Sequence, residues 1–212
     1  MNAIDALFGR LRAQGRKAFI PFLTSGDPDP AGTVVLARTL AGRGASLLEL
    51  GFPYSDPIAD GPVIQASYTR ALDKGLRLDD MFACARRVAD APEFAGGQVP
   101  LVALVSYSLI HRRGADAFLG QAADAGFSGA IVPDLPLEES EPLVRLAGAR
   151  DFKLVQLVTP TTPRERARDI ARRSFGEKIA MMEALRERVA PLKRARERRH
   201  AAKRVNSSGD AS

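Results

Sequence analysis

Three carboxylates, Glu49, Asp56 and Asp60, lie close together in the stretch LELGFPYSDPIADG. Glu49 interrupts an apolar run that predicts a buried strand, whereas Asp56 and Asp60 follow in a loop rich in Pro and Gly. Apolar surroundings raise the pKa of a carboxyl group, which suits a group that must both give and take a proton. A carboxylate in a wetter loop stays ionised. Glu49 and Asp60 are therefore candidates for acid–base work.

The same residues also have ordinary structural explanations. A Glu at the end of a strand often caps a neighbouring loop or pairs with an Arg, and an Asp followed by Gly, as at Asp60, is a routine turn. Taken alone, Phe22 is a core residue, and Pro53 and Asp56 are turn residues. Residue type leaves both explanations of Glu49 open.

Short apolar runs and helical stretches alternate along the chain. The strand-like runs are AFIPFL, SLLEL, VPLVALVSY, GAIVPDLP and FKLVQLVTP, and a polar loop with Pro, Gly or Ser follows each of them. Strands that are apolar on both faces and separated by helices are typical of parallel β/α units. A (β/α)8 TIM barrel is favoured over an open doubly wound sheet, because no G-x-G-x-x-G follows the first strand. In a barrel those loops form the active face, where Glu49 and Asp60 would lie.

Local signals define several of these elements. Asp29 followed by Pro30 predicts the start of the helix PAGTVVLARTLAGRG. Side chains alternate along a strand, so Glu49 shares a face with Leu47 and lies opposite Leu50.

Four further assignments rest on pattern alone. A helical stretch spans roughly 61–90, and 99–107 is a strand. Asp134, between two prolines, predicts a turn. Cys84 lies in a helical pattern and is expected to be a small core residue.

Charge argues against a nucleic-acid-binding class. The net charge is +6, but residues 175–212 hold ten Lys or Arg against five Asp or Glu, so the body of the chain is close to neutral. The basic run KRARERRHAAKR is expected to be a solvated helix. A basic-tailed module for nucleic acid remains the least favoured hypothesis.

Composition also bears on metals and on location. No His, Cys and Asp cluster has metal-ligand spacing, so no metal is expected. The one cysteine allows no intramolecular disulfide, and the first residues contain no apolar run long enough for a signal or membrane helix. A cytoplasmic protein is expected.

Four motifs together resemble the α subunit of tryptophan synthase. They are FIPFLTSGDPD, LELGFPYSDPIADGPVIQ, IVPDLPLEES and LVTPTTPRER, and they stand in the family's order from about Phe19 to Gly176. The resemblance implies a TIM barrel that cleaves indole-3-glycerol phosphate to indole and glyceraldehyde 3-phosphate. It implies no cofactor in this chain, because pyridoxal phosphate belongs to the β subunit, its partner in an α2β2 tetramer.

The resemblance also implies residue roles. Glu49 matches the family's proton shuttle, and Asp60 matches the residue that binds the indole nitrogen. Phe22 matches a residue that lines the indole pocket. Pro53 and Asp56 match loop positions that contact the β subunit.

Two stretches depart from the family pattern. The loop after the third strand usually carries Tyr and Asn, and here it has Ser106, Tyr107 and Ser108. After Ser174 the sequence contains none of the Gly-rich loops that hold the substrate phosphate in the family. We therefore predict a partial TIM-barrel domain over 1–174, which is an incomplete barrel of about five β/α units, and a charged helical and disordered tail over 175–212.

Besides the nucleic-acid module, two hypotheses remain open at this point. In the first, the chain is an α-type lyase that works with a β subunit. In the second, it is a non-catalytic, partner-binding fragment that keeps the catalytic loop but binds the substrate phosphate poorly.

Overall fold

Five strands form one parallel sheet in a computed structural model that describes residues 1–57, 60–136, 139–158 and 162–173. The strands are β1 (Phe22–Thr24), β2 (Leu48–Gly51), β3 (Leu101–Leu104), β4 (Phe127–Ile131) and β5 (Lys153–Val155). They pair in the order β1-β2-β3-β4-β5, so every strand lies beside its sequence neighbour. This arrangement confirms the predicted β/α architecture of the TIM-barrel family. Within the described residues, β1 and β5 are the edge strands.

Eight α-helices accompany these strands in the described part of the chain. They are α1 (Ala3–Ala13), α2 (Pro30–Gly42), α3 (Pro62–Asp73), α4 (Leu78–Ala89), α5 (Tyr107–Arg113), α6 (Ala115–Asp124), α7 (Glu141–Gly148) and α8 (Arg164–Arg173). A 3₁₀ segment lies within Pro92–Gly97. The chain divides into two compact units, Met1–Leu157 and Val158–Ser212. The predicted tail over 175–212 lies outside the described residues.

Local chemistry explains where the helices begin and end. Helix α2 starts as predicted, with Pro30 in its first turn and the N–H of Gly32 donating to Asp29 Oδ1 at 2.7 Å. The helical stretch predicted over roughly 61–90 is divided into two helices, because Gly75 has a φ of +77° and separates α3 from α4. The third strand is shorter than predicted, since Ser106 caps the start of α5.

The outer face of the sheet holds the larger core. Leu48 and Leu50 of β2 are buried there with residues of α2, α4, α5, α6 and α7. Phe52, just after β2, packs edge-on to Phe82 of α4, with ring centroids 5.3 Å apart. Cys84 is buried in α4, as predicted.

The inner face is covered by α1, a helix that the sequence analysis did not assign. Ile4, Leu7 and Leu11 form one stripe along α1 and are buried with Leu47 and Val102 of the sheet. Leu47 and Leu50 therefore lie on opposite faces, which confirms the predicted alternation along β2.

Polar contacts hold α1 against the sheet. The side chain of Asn2 accepts from the N–H of Ile4 at 2.9 Å and donates to the carbonyl oxygen of Ser128 at 2.9 Å. Lys153 of β5 forms an ion pair of 2.9 Å with Asp5. These contacts fix α1 across the sheet near the start of β4 and β5.

Candidate active site

The inner face carries the candidate proton shuttle. Parallel register aligns Phe22 of β1, Glu49 of β2 and Val102 of β3, so their side chains share the inner face. Glu49 is half-buried there. Phe22 is thus the neighbour of Glu49 on β1.

Gly51 makes room for two aromatic side chains at the end of β2. A Cβ atom at this position would lie 2.6 Å from the ring of Phe22 and 2.9 Å from the hydroxyl oxygen of Tyr68. Neither approach is compatible with a side chain, so the last residue of β2 must be glycine for Phe22 to lie over the strand. The motif ELG therefore places an aromatic ring beside Glu49.

The loop after β2 is braced from α3. The side-chain amide of Gln65 donates to the carbonyl oxygens of Pro57 and Asp60, at 3.1 and 2.8 Å. The N–H of Asp60 donates to the same Pro57 oxygen at 3.1 Å. Gln65 thus positions the backbone that carries Asp60. Sequence analysis missed Gln65, and its signal was a long amide side chain one turn into the helix that follows the loop.

Asp60 lies in a drier setting than the sequence analysis assumed. The side chain is half-buried, and this burial raises the pKa of Asp60. The nearby charge of Asp134 raises it further. Both candidate carboxyl groups are therefore partly withdrawn from water.

Two tyrosines that the sequence analysis did not select lie beside Asp60. The rings of Tyr54 and Tyr68 are 5.9 Å apart. Burial raises the pKa of Tyr54, and the charges of Asp60, Asp134 and Asp56 raise it further. Burial and the charge of Asp60 also raise the pKa of Tyr68. Both phenols are therefore hydrogen-bond donors at neutral pH.

Asp134 lies in a turn after β4, as predicted, and connects two loops. Its Oδ2 accepts from the hydroxyl of Ser106 at 2.7 Å, and its Oδ1 accepts from the N–H of Tyr107 at 2.8 Å. The hydroxyl oxygen of Ser106 accepts from the N–H of Ser108 at 3.2 Å. Asp134 thus contacts two of the three residues that depart from the family pattern in the third loop, Ser106 and Tyr107.

The two predicted partner contacts differ in exposure. Asp56 is exposed and accepts from the hydroxyl of Ser55 at 2.6 Å, whereas Pro53 is buried. Asp56 is thus the more accessible of the two.

The described part of the chain contains neither a cluster of metal-binding side chains nor a membrane-spanning helix. It holds no group of three or more His, Cys, Asp or Glu side chains placed to bind a metal. Its helices are all too short or too polar to cross a membrane.

A parallel β/α sheet with carboxyl groups at and beyond the strand ends is the arrangement of β/α-barrel enzymes. The profile of the family described as tryptophan synthase alpha chain matches residues 8–177. This chain belongs to that family.

Curated relatives give the same result. The chain is 48% identical over 176 residues to the tryptophan synthase alpha chain of Rhodopirellula baltica, covering 83% of this chain and 63% of the relative. It is 47% identical over 178 residues to that of Microcystis aeruginosa, covering 83% and 65%. The chain therefore spans less than two thirds of the length of these relatives.

Solved structures share the fold. Tryptophan synthase subunit alpha from Legionella pneumophila superposes with a TM-score of 0.77 and 36% identity, covering 83% of this chain and 66% of that one. A chain from the tryptophan synthase a2b2 complex of Pyrococcus furiosus gives a TM-score of 0.69 and 35% identity, covering 74% and 63%.

Proposed function

We propose that the chain performs the α reaction of tryptophan synthase, the retro-aldol cleavage of indole-3-glycerol phosphate to indole and glyceraldehyde 3-phosphate. One observation carries the proposal. Glu49 lies in register with Phe22 on the inner face of β2, and Asp60 lies on the loop that follows this strand. A carboxyl group thus lies on the strand beside an aromatic side chain, and a second carboxyl group lies on the loop after the same strand, which supports the proposal.

The proposed chemistry needs no cofactor in this chain. Glu49 in its acid form protonates C3 of the indole ring, and its carboxylate then takes the proton of the glycerol hydroxyl. The carbon–carbon bond breaks, and its electron pair returns to the ring and restores indole. Asp60 accepts a hydrogen bond from the ring N–H while the ring is positively charged. Phe22 contacts the indole.

The proposal includes a partner and a location. The Pyrococcus furiosus relative is described as an a2b2 complex, and we propose that a β subunit binds this chain at the loop that carries Pro53 and Asp56. The exposed carboxylate of Asp56 suits an ionic contact with such a partner. We place the chain in the cytoplasm, where a lone buried thiol such as Cys84 stays reduced.

A second candidate function is a partner-binding fragment without catalytic activity. It is favoured by residues 175–212, which contain none of the Gly-rich loops that hold the substrate phosphate in the family. Such a fragment would bind a β subunit and would bind indole-3-glycerol phosphate weakly.

The experiment that separates the two candidates measures binding and turnover on one preparation. The full chain is mixed with a tryptophan synthase β subunit, complex formation is followed by size-exclusion chromatography, and indole release from indole-3-glycerol phosphate is assayed. Catalysis that Glu49→Gln abolishes, with complex formation unchanged, supports the lyase. A complex that forms without any indole release supports the fragment and contradicts the lyase.

A further inference from the structure

Asp134 is held more firmly than a turn residue requires. Both of its carboxylate oxygens are occupied, Oδ1 by the N–H of Tyr107 and Oδ2 by the hydroxyl of Ser106. Ser106 is only 3% exposed, so its hydroxyl has little access to water. Hydrogen bonds to an ionised acceptor are stronger than neutral ones, and burial of the donor strengthens them further. The direction of the Asp134 carboxylate is therefore fixed.

These bonds join the ends of two neighbouring strands. Val105, just after β3, donates its N–H to the carbonyl oxygen of Ile131 at the end of β4, at 3.0 Å. The chain then diverges, into α5 on one side and into the turn of Asp134 on the other. Asp134 reconnects the two branches beyond the last sheet hydrogen bond. It thereby fixes the start of α5 at the same end of the sheet as Asp60.

The fixed carboxylate also acts on Asp60. The charge of Asp134 raises the pKa of Asp60, in addition to the larger effect of burial. The other titratable groups of this cluster are Tyr54 and Asp56 of the same loop and Tyr68 of α3. The charge of Asp56 raises the pKa of Tyr54, but Asp56 is not among the groups that raise the pKa of Asp60.

We propose that Asp134 is a positioning residue, which fixes the start of α5 and keeps its negative charge within the group of titratable side chains around Asp60. A neighbouring negative charge makes Asp60 a more basic carboxylate and thus a stronger hydrogen-bond acceptor. In the proposed reaction, this strengthens the contact to a ring N–H as it becomes positive. That consequence rests on the proposed function, whereas the effect on Asp60 does not.

The test is a carbon NMR titration of the Asp60 carboxyl group in the full chain, from acid to neutral pH. Asp134→Asn keeps the shape and removes the charge, so the midpoint of Asp60 moves to lower pH. Asp134→Ser is a second neutral variant and is expected to shift the midpoint in the same direction. Ser106→Ala removes one hydrogen bond but keeps the charge, so its shift is smaller. Asp56→Asn is the matched control on the same loop, with no direct effect on Asp60 expected.

Each result decides the proposal without any assay of turnover. A midpoint that is unchanged in a folded neutral variant at Asp134 overturns it, as does an equal shift in Asp56→Asn. Native amide spectra establish that each variant is folded. Because the titration reads Asp60 directly, a chain that proves inactive leaves this inference standing, and an active chain with an unshifted midpoint refutes this inference alone.

Discussion

The two ends of the inner face differ in how their charged side chains are arranged. At the end covered by α1, the charges are of opposite sign and paired, with Lys153 between Asp5 and Asp151, and apolar side chains fill the space beside them. At the other end, Asp60 and Asp134 are like charges, and two tyrosines lie beside them. The paired charges at the α1 end stabilise the fold, whereas the like charges of Asp60 and Asp134 at the other end repel each other. In β/α barrels this division corresponds to a stabilising end and an active end.

The pKa directions express the same difference. Burial alone would lower the pKa of Lys153, but its contacts with Asp5 and Asp151 outweigh burial and raise it. The raised pKa of Lys153 therefore contributes stability that is complete below the unfolded pKa of a lysine and is lost as pH rises through the folded pKa. For Asp60, burial and Asp134 raise the pKa. The contribution of Asp60 to the free energy of unfolding is complete only at acid pH and is lost as pH rises through its folded pKa.

The largest expected effect is on turnover at the acidic end. Asp60→Asn should lower indole release by about 10²–10³-fold, because one charge-stabilising group is lost. The parent chain should lose rate as pH falls through the raised pKa of Asp60, and the variant should lack that limb. The measurement is kcat/KM against pH, with a β subunit present. Equal profiles for both chains would remove Asp60 from the mechanism.

Asp60→Asn should increase stability at neutral pH, although it lowers turnover. Because ionisation of Asp60 is unfavourable in the fold, Asp60→Asn should gain stability relative to the parent as pH rises from acid to neutral. Urea denaturation at several pH values tests this. If the parent chain instead became more stable relative to the variant over the same pH range, the raised pKa of Asp60 would be contradicted.

The next effect is on stability at the other end. Leu7 is 4% exposed in the inner core, so Leu7→Ala should lower the free energy of unfolding by about 2–5 kcal/mol. Leu36→Ala on α2 is the control, because Leu36 is exposed and should cost less than about 0.5 kcal/mol. Denaturant unfolding measures both. Similar losses in the two variants would show that α1 does not seal the inner face.

A smaller loss of stability is expected when the hydrogen bonds from Gln65 to the loop are removed. Gln65→Ala removes both hydrogen bonds to the loop and should cost roughly 1–2 kcal/mol of stability. Gln65→Glu keeps the size and lacks the amide donors, so it should cost at least as much. Hydrogen exchange at the Asp60 N–H should be faster in both variants. A Gln65→Glu chain as stable as the parent would mean that the brace contributes nothing.

The smallest effect concerns the ion pair under the sheet. Asp5→Asn should lower the free energy of unfolding by less than about 1 kcal/mol, because the pair is partly exposed and Asp151 still lies 3.2 Å from Lys153. Thermal and urea unfolding at neutral pH measure this difference. A loss as large as that of Leu7→Ala would show that charge pairing, and not apolar burial, holds α1 in place.

Short-range signals in the sequence were sufficient for much of the fold. The cap formed by Asp29 and Pro30, the alternation along β2 and the turn at Asp134 all depend on residues within a few positions of each other. Helix α1 was missed although Ile4, Leu7 and Leu11 have helical spacing. The sequence could not show what that stripe would cover, because its partner is the inner face of a sheet formed much later in the chain.

The sequence by itself determined the family, the order of the β/α units and the placement of Glu49 in the second strand and of Asp60 in the loop after it. Only the tertiary structure decided which groups surround them. Phe22 lies over Gly51, Gln65 clamps the loop, and Asp134 binds Ser106 across 28 positions. The physical reason is range: turns and alternation follow from neighbouring residues, whereas burial and electrostatic fields depend on which distant loops meet in space.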